Sequence, residues 1–303
     1  MKKILLFNFF IASVLALRVS ASVPPISETE DWLAENTFTA GIEGPAVDRA
    51  GNLYAVNIER QGTIGLVSAK NTAEVFVELS GTSVANAIRF DAAGDMLLAD
   101  YVNHNILKIK MADKSISVLA HNDKMNQPND IVVADGGIIY ASDPNWDDNS
   151  GQLWRINTDG TSDLLETAMG TTNGIELSPD GRALYVNESV QRNIWRYDVA
   201  ADGSITNKQL FFKFADFGMD GMSVDIAGNV YVARYGAGRV AVLSPQGELL
   251  REVILTGQHP TNIAFGGKDG RRVFVTMQKR GTVESFINSL PGSDWAKLHA
   301  ADK

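Results

Sequence analysis

Six short segments, spaced 42 to 47 residues apart, each open on an oxygen-bearing side chain and run on into apolar residues. The openers are Glu43, Asn86, Asn129, Asn173, Asp220 and Asn262, in EGPAV, ANAIRF, PNDIVV, TNGIEL, DGMSVD and TNIAFG. A period of roughly 44 residues suits one four-stranded blade of a β-propeller, so six openers predict six blades. A few residues after each opener comes a turn rich in Asp and Gly, as at Asp48 to Gly51 and Asp225 to Gly228. These residues tolerate the positive φ of a tight hairpin, so the opener starts an inner strand and the turn delivers the second, such as NLYAV, ALYVN or RVFVT. Third strands follow in TIGLVS, QLWRIN and NIWRYD, and weaker outer copies in AEVFVE, ISVLA, SDLLET and LLREVIL.

The predicted fold class is all-β, a six-bladed β-propeller over residues 40–290 with a metal site in the central channel. Residues 22–39 are expected to pack on the propeller, with ETEDWLAEN as a short helix or as the outer strand of the last blade. Residues 291–303 form a tail that reads as a frayed helix.

Inner strands line the channel, so all six openers should crowd around one mouth of it. Their ring holds two carboxylates, Glu43 and Asp220, placed nearly opposite each other, and four carboxamides. Oxygen donors without nitrogen or sulfur suit a hard divalent cation, and Ca²⁺ tolerates a strand-built ring better than octahedral Mg²⁺. Mn²⁺ and Zn²⁺ are the other candidates. The competing reading, in which each Asn only satisfies a local turn, stands for any one of them taken alone.

The segments QPNDIVV, TNGIELSPDGRALYVNES, DGMSVDIAGNVYVA and HPTNIAFGGKDGRRVFVT resemble the SMP-30/gluconolactonase/luciferin-regenerating-enzyme family, from about Ile42 to about Phe286. The resemblance implies a six-bladed propeller with a divalent metal in its channel, and lactonase activity on sugar lactones. It implies metal ligands at Glu43, Asn173 and Asp220. Asn129 would serve as a further ligand or a substrate contact. Sugar-binding relatives can carry Arg where this chain has Gln127, which leaves the identity of the substrate open. Asp220 is the expected catalytic residue, taking a proton from the attacking water. Asp220 as nucleophile is the other reading.

The second strands should return to the same face and end there at Asn57, Asp100, Asp143, Asn187, Arg234 and Thr276. Asp143 precedes a long loop and is expected to reach substrate, with Trp146, Tyr235 and Tyr101 as aromatic faces and Arg234 as the one cation near the mouth. His121 and His259 fall on blade connections at this face and are candidate bases, although a lone loop His is more often solvated. There is no HExxH, no GxSxG and no Cys, which excludes a zincin helix, a serine elbow and thiol chemistry.

Lys2 and Lys3 precede an apolar stretch from Ile4 to Leu17 and small residues at Ser20, Ala21 and Ser22. This pattern predicts a signal peptide over residues 1–21 and an exported protein, periplasmic or extracellular, with no membrane insertion after cleavage. A net charge of −9 and a pI near 5.0 argue against nucleic acid and anionic membranes as partners. The expected partner is a small-molecule lactone bound by a monomer. The alternatives are a calcium-dependent esterase or phosphoesterase of the same fold, or a non-catalytic propeller that binds a partner.

Overall fold

The computed structural model describes residues 28–300. The expected signal peptide lies outside these residues. Twenty-four strands form six four-stranded antiparallel sheets. Inner strands run Glu43–Val47, Ala85–Phe90, Ile131–Val133, Thr172–Leu177, Met222–Val224 and Pro260–Gly266, one for each blade, which places every opener within two residues of the start of its strand.

The first five blades are consecutive in sequence. In the sixth, the outer strand is Glu30–Asp31, which pairs with Thr282–Ile287 and so joins the two ends of the described chain. Leu33 and Phe38 follow it into a core shared by blades 6 and 1, beside Ile42, Leu53, Phe274 and Val283. Similar apolar clusters fill the other gaps, as where Tyr54 and Val56 of blade 1 meet Ile88 and Met96 of blade 2. The outer strand of blade 4, Ile205–Lys213, was not among the sequence's outer copies. It carries Asn207, Lys208 and Gln209 on a solvent-exposed stretch and has no clean apolar alternation to announce it.

Inner strands of blades 1, 2, 4 and 6 each carry a register shift at the opener. A bulge can re-aim a side chain, and three of these four openers, Glu43, Asn86 and Asn173, line the cavity at the mouth of the channel. The residue after Glu43 shows the constraint. Gly44 has φ of 51°, and a Cβ there would stand 2.6 Å from the Ala87 backbone of the next inner strand.

The tail forms a helix, Ser293–Ala300, across the end of the channel remote from the openers. Arg49 holds it by donating to the Leu298 carbonyl while also donating to the Ala92 carbonyl.

Candidate functional site

A cavity of about 740 Å³ opens at the mouth where the inner strands begin. Five of the six openers line it: Glu43, Asn86, Asn129, Asn173 and Asp220. Asn262 does not. Its Oδ1 accepts from its own strand at Ile263 N and its amide points at Asp130, leaving the side chain below the cavity floor.

Glu43 and Asp220 face each other in hydrogen-bonding contact, closer than the nearly opposite placement expected from sequence. They stand on blades 1 and 5, with only blade 6 between them on the shorter path, and both reach the axis. Burial, followed by the charge of Asp220, holds Glu43 well above the usual carboxylate range. Burial also raises Asp220, against hydrogen bonds with Glu43 and Asn173 that pull it down. Two buried carboxylates in contact cannot both ionise cheaply unless a positive charge joins them.

The donor set fits a divalent cation. Asn129 lines the cavity with its Oδ1 buried and without a hydrogen-bond partner, while Asn173 touches Asp220. Among the described residues no group of three or more His, Cys, Asp or Glu is arranged for a metal. The oxygens available to an ion here would be those of two carboxylates and neighbouring carboxamides, a hard all-oxygen set.

Below the ring lies a charged layer that the sequence reading missed. Arg89 is 7% exposed and lies 3.2 Å from Asp130 and 4.0 Å from Glu176. Burial works against the Arg89 charge, and Asp130 and Glu176 outweigh it. The signal was present as an Arg in ANAIRF and a Glu in TNGIEL, single charges inside strands that are otherwise buried and largely apolar.

The residues that end the second strands mostly do not face the cavity. Asp143 is fully buried, and its carboxylate accepts from Asn126 N, Gln127 N, Gln152 Nε2 and Trp154 Nε1. The expected substrate contact at Asp143 is thus corrected to a clamp on the connection that carries Gln127 into the cavity wall. Arg234 is likewise corrected. It is 2% exposed, donates to the carbonyl and carboxylate of Asp216, and lies over the Phe214 ring.

The same logic repeats around the ring. Asp100 accepts from Val84 N, Asn187 donates to the Asp220 carbonyl, and Thr276 Oγ1 accepts from Asn262 N. In each case a polar side chain at the end of a second strand bonds backbone at or just before an opener, adding to the few backbone pairs, such as Asp220 N with the Ala233 carbonyl, that hold these connections. Asp143→Asn is expected to release the 126–127 connection at a cost of about 1–3 kcal/mol. Denaturant unfolding reads that loss, and an unchanged midpoint would refute the clamp.

Gln127, Tyr101, Trp146 and Tyr235 do line the cavity, Trp146 with 42% of its surface exposed at the rim. Tyr235 donates to Gln278 Oε1, and its ring meets His259 edge-on. His259 and His121 are not part of the lining. His121 is instead bonded to Asn105 and Asp123. Asn57, Gln61, Ser189, Gln278 and the turn Thr39–Gly41 complete the wall. Of these, only Asn57 stood out in the sequence, because the others carry no repeat signature.

A six-bladed propeller with an acidic, carboxamide-lined mouth defines the class, and the family follows from it. The profile described as SMP-30/Gluconolactonase/LRE-like region matches residues 42–279, and the chain belongs to that family. It is 30% identical over 217 residues to a gluconolactonase of Zymomonas mobilis, covering 63% of this chain and 60% of that protein. It is 30% identical over 157 residues to a pentonolactonase of Haloferax volcanii, covering 51% of this chain and 54% of that protein. The chain thus spans between half and two thirds of the length of these relatives. A solved gluconolactonase structure from Xanthomonas campestris superposes with a TM-score of 0.75 at 22% identity, covering 89% of this chain and 92% of the other, a likeness of fold.

Proposed function

We propose that this protein is a divalent-metal-dependent lactonase that opens a sugar lactone or a related lactone to its hydroxy acid. The observation that carries this reading is the contact between the Glu43 and Asp220 carboxylates at the floor of a cavity walled by carboxamides. Named relatives that are lactonases support the same reaction class.

Glu43, Asp220, Asn173 and Asn129 would hold the ion, and its all-oxygen set favours Ca²⁺ over Zn²⁺. When bound, a divalent cation polarises the lactone carbonyl and offsets charge that builds on its oxygen. Asp220 accepts the proton of the water that attacks the carbonyl carbon. The bond from that carbon to the ring oxygen then breaks, and the ring oxygen takes up a proton to become the hydroxyl of the product. Glu43 would serve as a second anionic ligand that balances the ion's charge, and Asp220 is ionised beside it only while that positive charge is present. Asn187, donating to the Asp220 carbonyl at 2.5 Å, and the pairing of Asp220 N with the Ala233 carbonyl fix the backbone from which the base projects. Trp146 and Tyr101 offer ring faces at the entrance.

The N-terminal Lys pair and apolar stretch support export, and a site built within one chain supports action as a monomer. The test is acid release from D-glucono-δ-lactone and aliphatic lactones by protein stripped with chelator and resupplied with Ca²⁺, Mg²⁺, Mn²⁺ or Zn²⁺. Metal-restored turnover is expected. Metal binding without turnover of any lactone would replace this reading with a binding role.

A further inference from the structure

We infer that the end of the channel remote from the openers, beneath the C-terminal helix, is a second binding site, and that it takes a small organic cation: a protonated amine carried on an apolar body. This does not rest on the lactonase reading. A cavity of about 470 Å³ lies there, between the ends of the inner strands and the helix Ser293–Ala300, a size usual for small-molecule sites. Ala46, Phe90, Val133, Phe265, Trp295 and Leu298 supply an apolar wall. Exposed turn residues at 92–93 and 135–137 form its rim.

Glu176 is the group that calls for a ligand. It lines this cavity and is 3% exposed. Its Oε1 accepts from Leu177 N at 2.9 Å, while its Oε2 makes no hydrogen bond among the described residues and lies 4.0 Å from Arg89. A buried carboxylate oxygen left without a donor is costly. Burial, and then the charge of Asp294 on the first turn of the helix, hold Glu176 well above the usual carboxylate range. The other charges of the lining are already engaged. Arg89 has Asp130 at 3.2 Å and donates to the Ile88 carbonyl, Lys297 has Asp135 at 3.4 Å, and Asp91 has Lys108 at 2.7 Å. Arg49 is exposed and donates to the Leu298 and Ala92 carbonyls. Glu176 and Asp294 are the acids of the lining that have no ion pair shorter than 4.0 Å among the described residues. The unpartnered Arg89 Nε and Trp295 Nε1 are themselves buried and do not face the space. An anionic head would face both acids. An ammonium donates to Glu176 Oε2, offsets the repulsion between Glu176 and Asp294, and leaves its apolar remainder against the wall.

The experiment measures binding of 2-phenylethylamine, 2-phenylethanol and phenylacetate to the full chain with Ca²⁺ present by calorimetry, with saturation-transfer NMR for weak binding. The three share a ring and differ in the charge of the head. The amine is expected to bind at least about 10-fold more tightly than the alcohol, as a charge-assisted hydrogen bond to a buried carboxylate supports, and phenylacetate more weakly still. Glu176→Gln is expected to weaken the amine about 10-fold or more and to leave the alcohol unchanged. Asp294→Asn, at an exposed position outside the core, is expected to weaken the amine about 3-fold, and it carries the test if Glu176→Gln does not fold. Glu43 and Asp220 present another acidic pair, at the opposite mouth, and Asp220→Asn separates the two ends. It is expected to leave the amine's affinity unchanged. No binding of the amine, binding of the alcohol or of phenylacetate as tight as the amine's, or unchanged amine affinity in the acid variants overturns the inference. So does a loss in Asp220→Asn as large as that in Glu176→Gln, which would place the amine at the mouth.

Discussion

Asp220→Asn is expected to leave the protein folded and to lower lactone hydrolysis by on the order of 10²–10⁴-fold, the range for loss of a positioned general base. The fold should survive because the interactions that place residue 220 belong to its backbone: N–H to the Ala233 carbonyl and C=O from the Asn187 amide. The substituted carboxamide keeps the shape of the carboxylate and can still meet Glu43 and Asn173. It has no basic oxygen able to accept a proton from water at neutral pH. Because Asp220 would also be a ligand, the variant is assayed with Ca²⁺ raised until its activity no longer rises; the remaining loss should appear in kcat, with KM little changed, because the group acts on the water rather than on the lactone. Hydrolysis near the wild-type rate would remove Asp220 from the mechanism. A single turnover in ¹⁸O-water separates the two roles left open for it. Label confined to the product carboxylate fits a base, whereas label in Asp220 itself identifies a nucleophile.

The blade count was legible because one structural unit recurs at a nearly constant interval and each copy starts with the same residue chemistry. The openers were legible for the same reason, and five of them do meet at one mouth. The orientation of residues outside that repeat was not. Asp143 and Arg234 end second strands close to the mouth, and sequence position alone does not say whether such a side chain turns inward or toward the incoming connection. The unsatisfied amides of residues 126 and 127 decide the matter for Asp143, and the Asp216 loop decides it for Arg234. Those partners lie 16 to 18 residues away, in loops with no periodic signature. The layer of Arg89, Asp130 and Glu176 was hidden differently. Each charge looks like an error in a buried strand until the three strands are brought to one axis, where they satisfy one another. Blade 6 closes with a two-residue strand, Glu30–Asp31, inside the ETEDWLAEN segment, which the sequence allows as either that outer strand or a short helix; two residues carry no alternation that could choose between the two.

Glu43→Gln is expected to be at least as stable as the wild type without metal and less stable than it with metal, and it tests the ligand assignment without reference to any substrate. In the wild type without metal, two buried carboxylates are in contact and both are driven toward the protonated form, Glu43 by burial and then by the charge of Asp220. Replacing one with a neutral amide removes that repulsion, so the metal-free variant should be at least as stable as the metal-free wild type. With metal the order inverts. Partners that merely support a metal ligand are worth roughly 10–100-fold in affinity, so losing a ligand charge should cost at least about 100-fold. At a fixed Ca²⁺ concentration well above both dissociation constants, that removes about 2.7 kcal/mol of the stabilisation that binding confers on the folded state. Thermal unfolding of both proteins, with chelator and with Ca²⁺, gives the four numbers required. The wild type should gain a large upward shift in Tm from Ca²⁺ and the variant a much smaller one, with lactone hydrolysis restored at higher Ca²⁺ because Asp220 remains. An equal Ca²⁺ shift in the two proteins would mean that the ion, if bound, sits elsewhere than between Glu43 and Asp220.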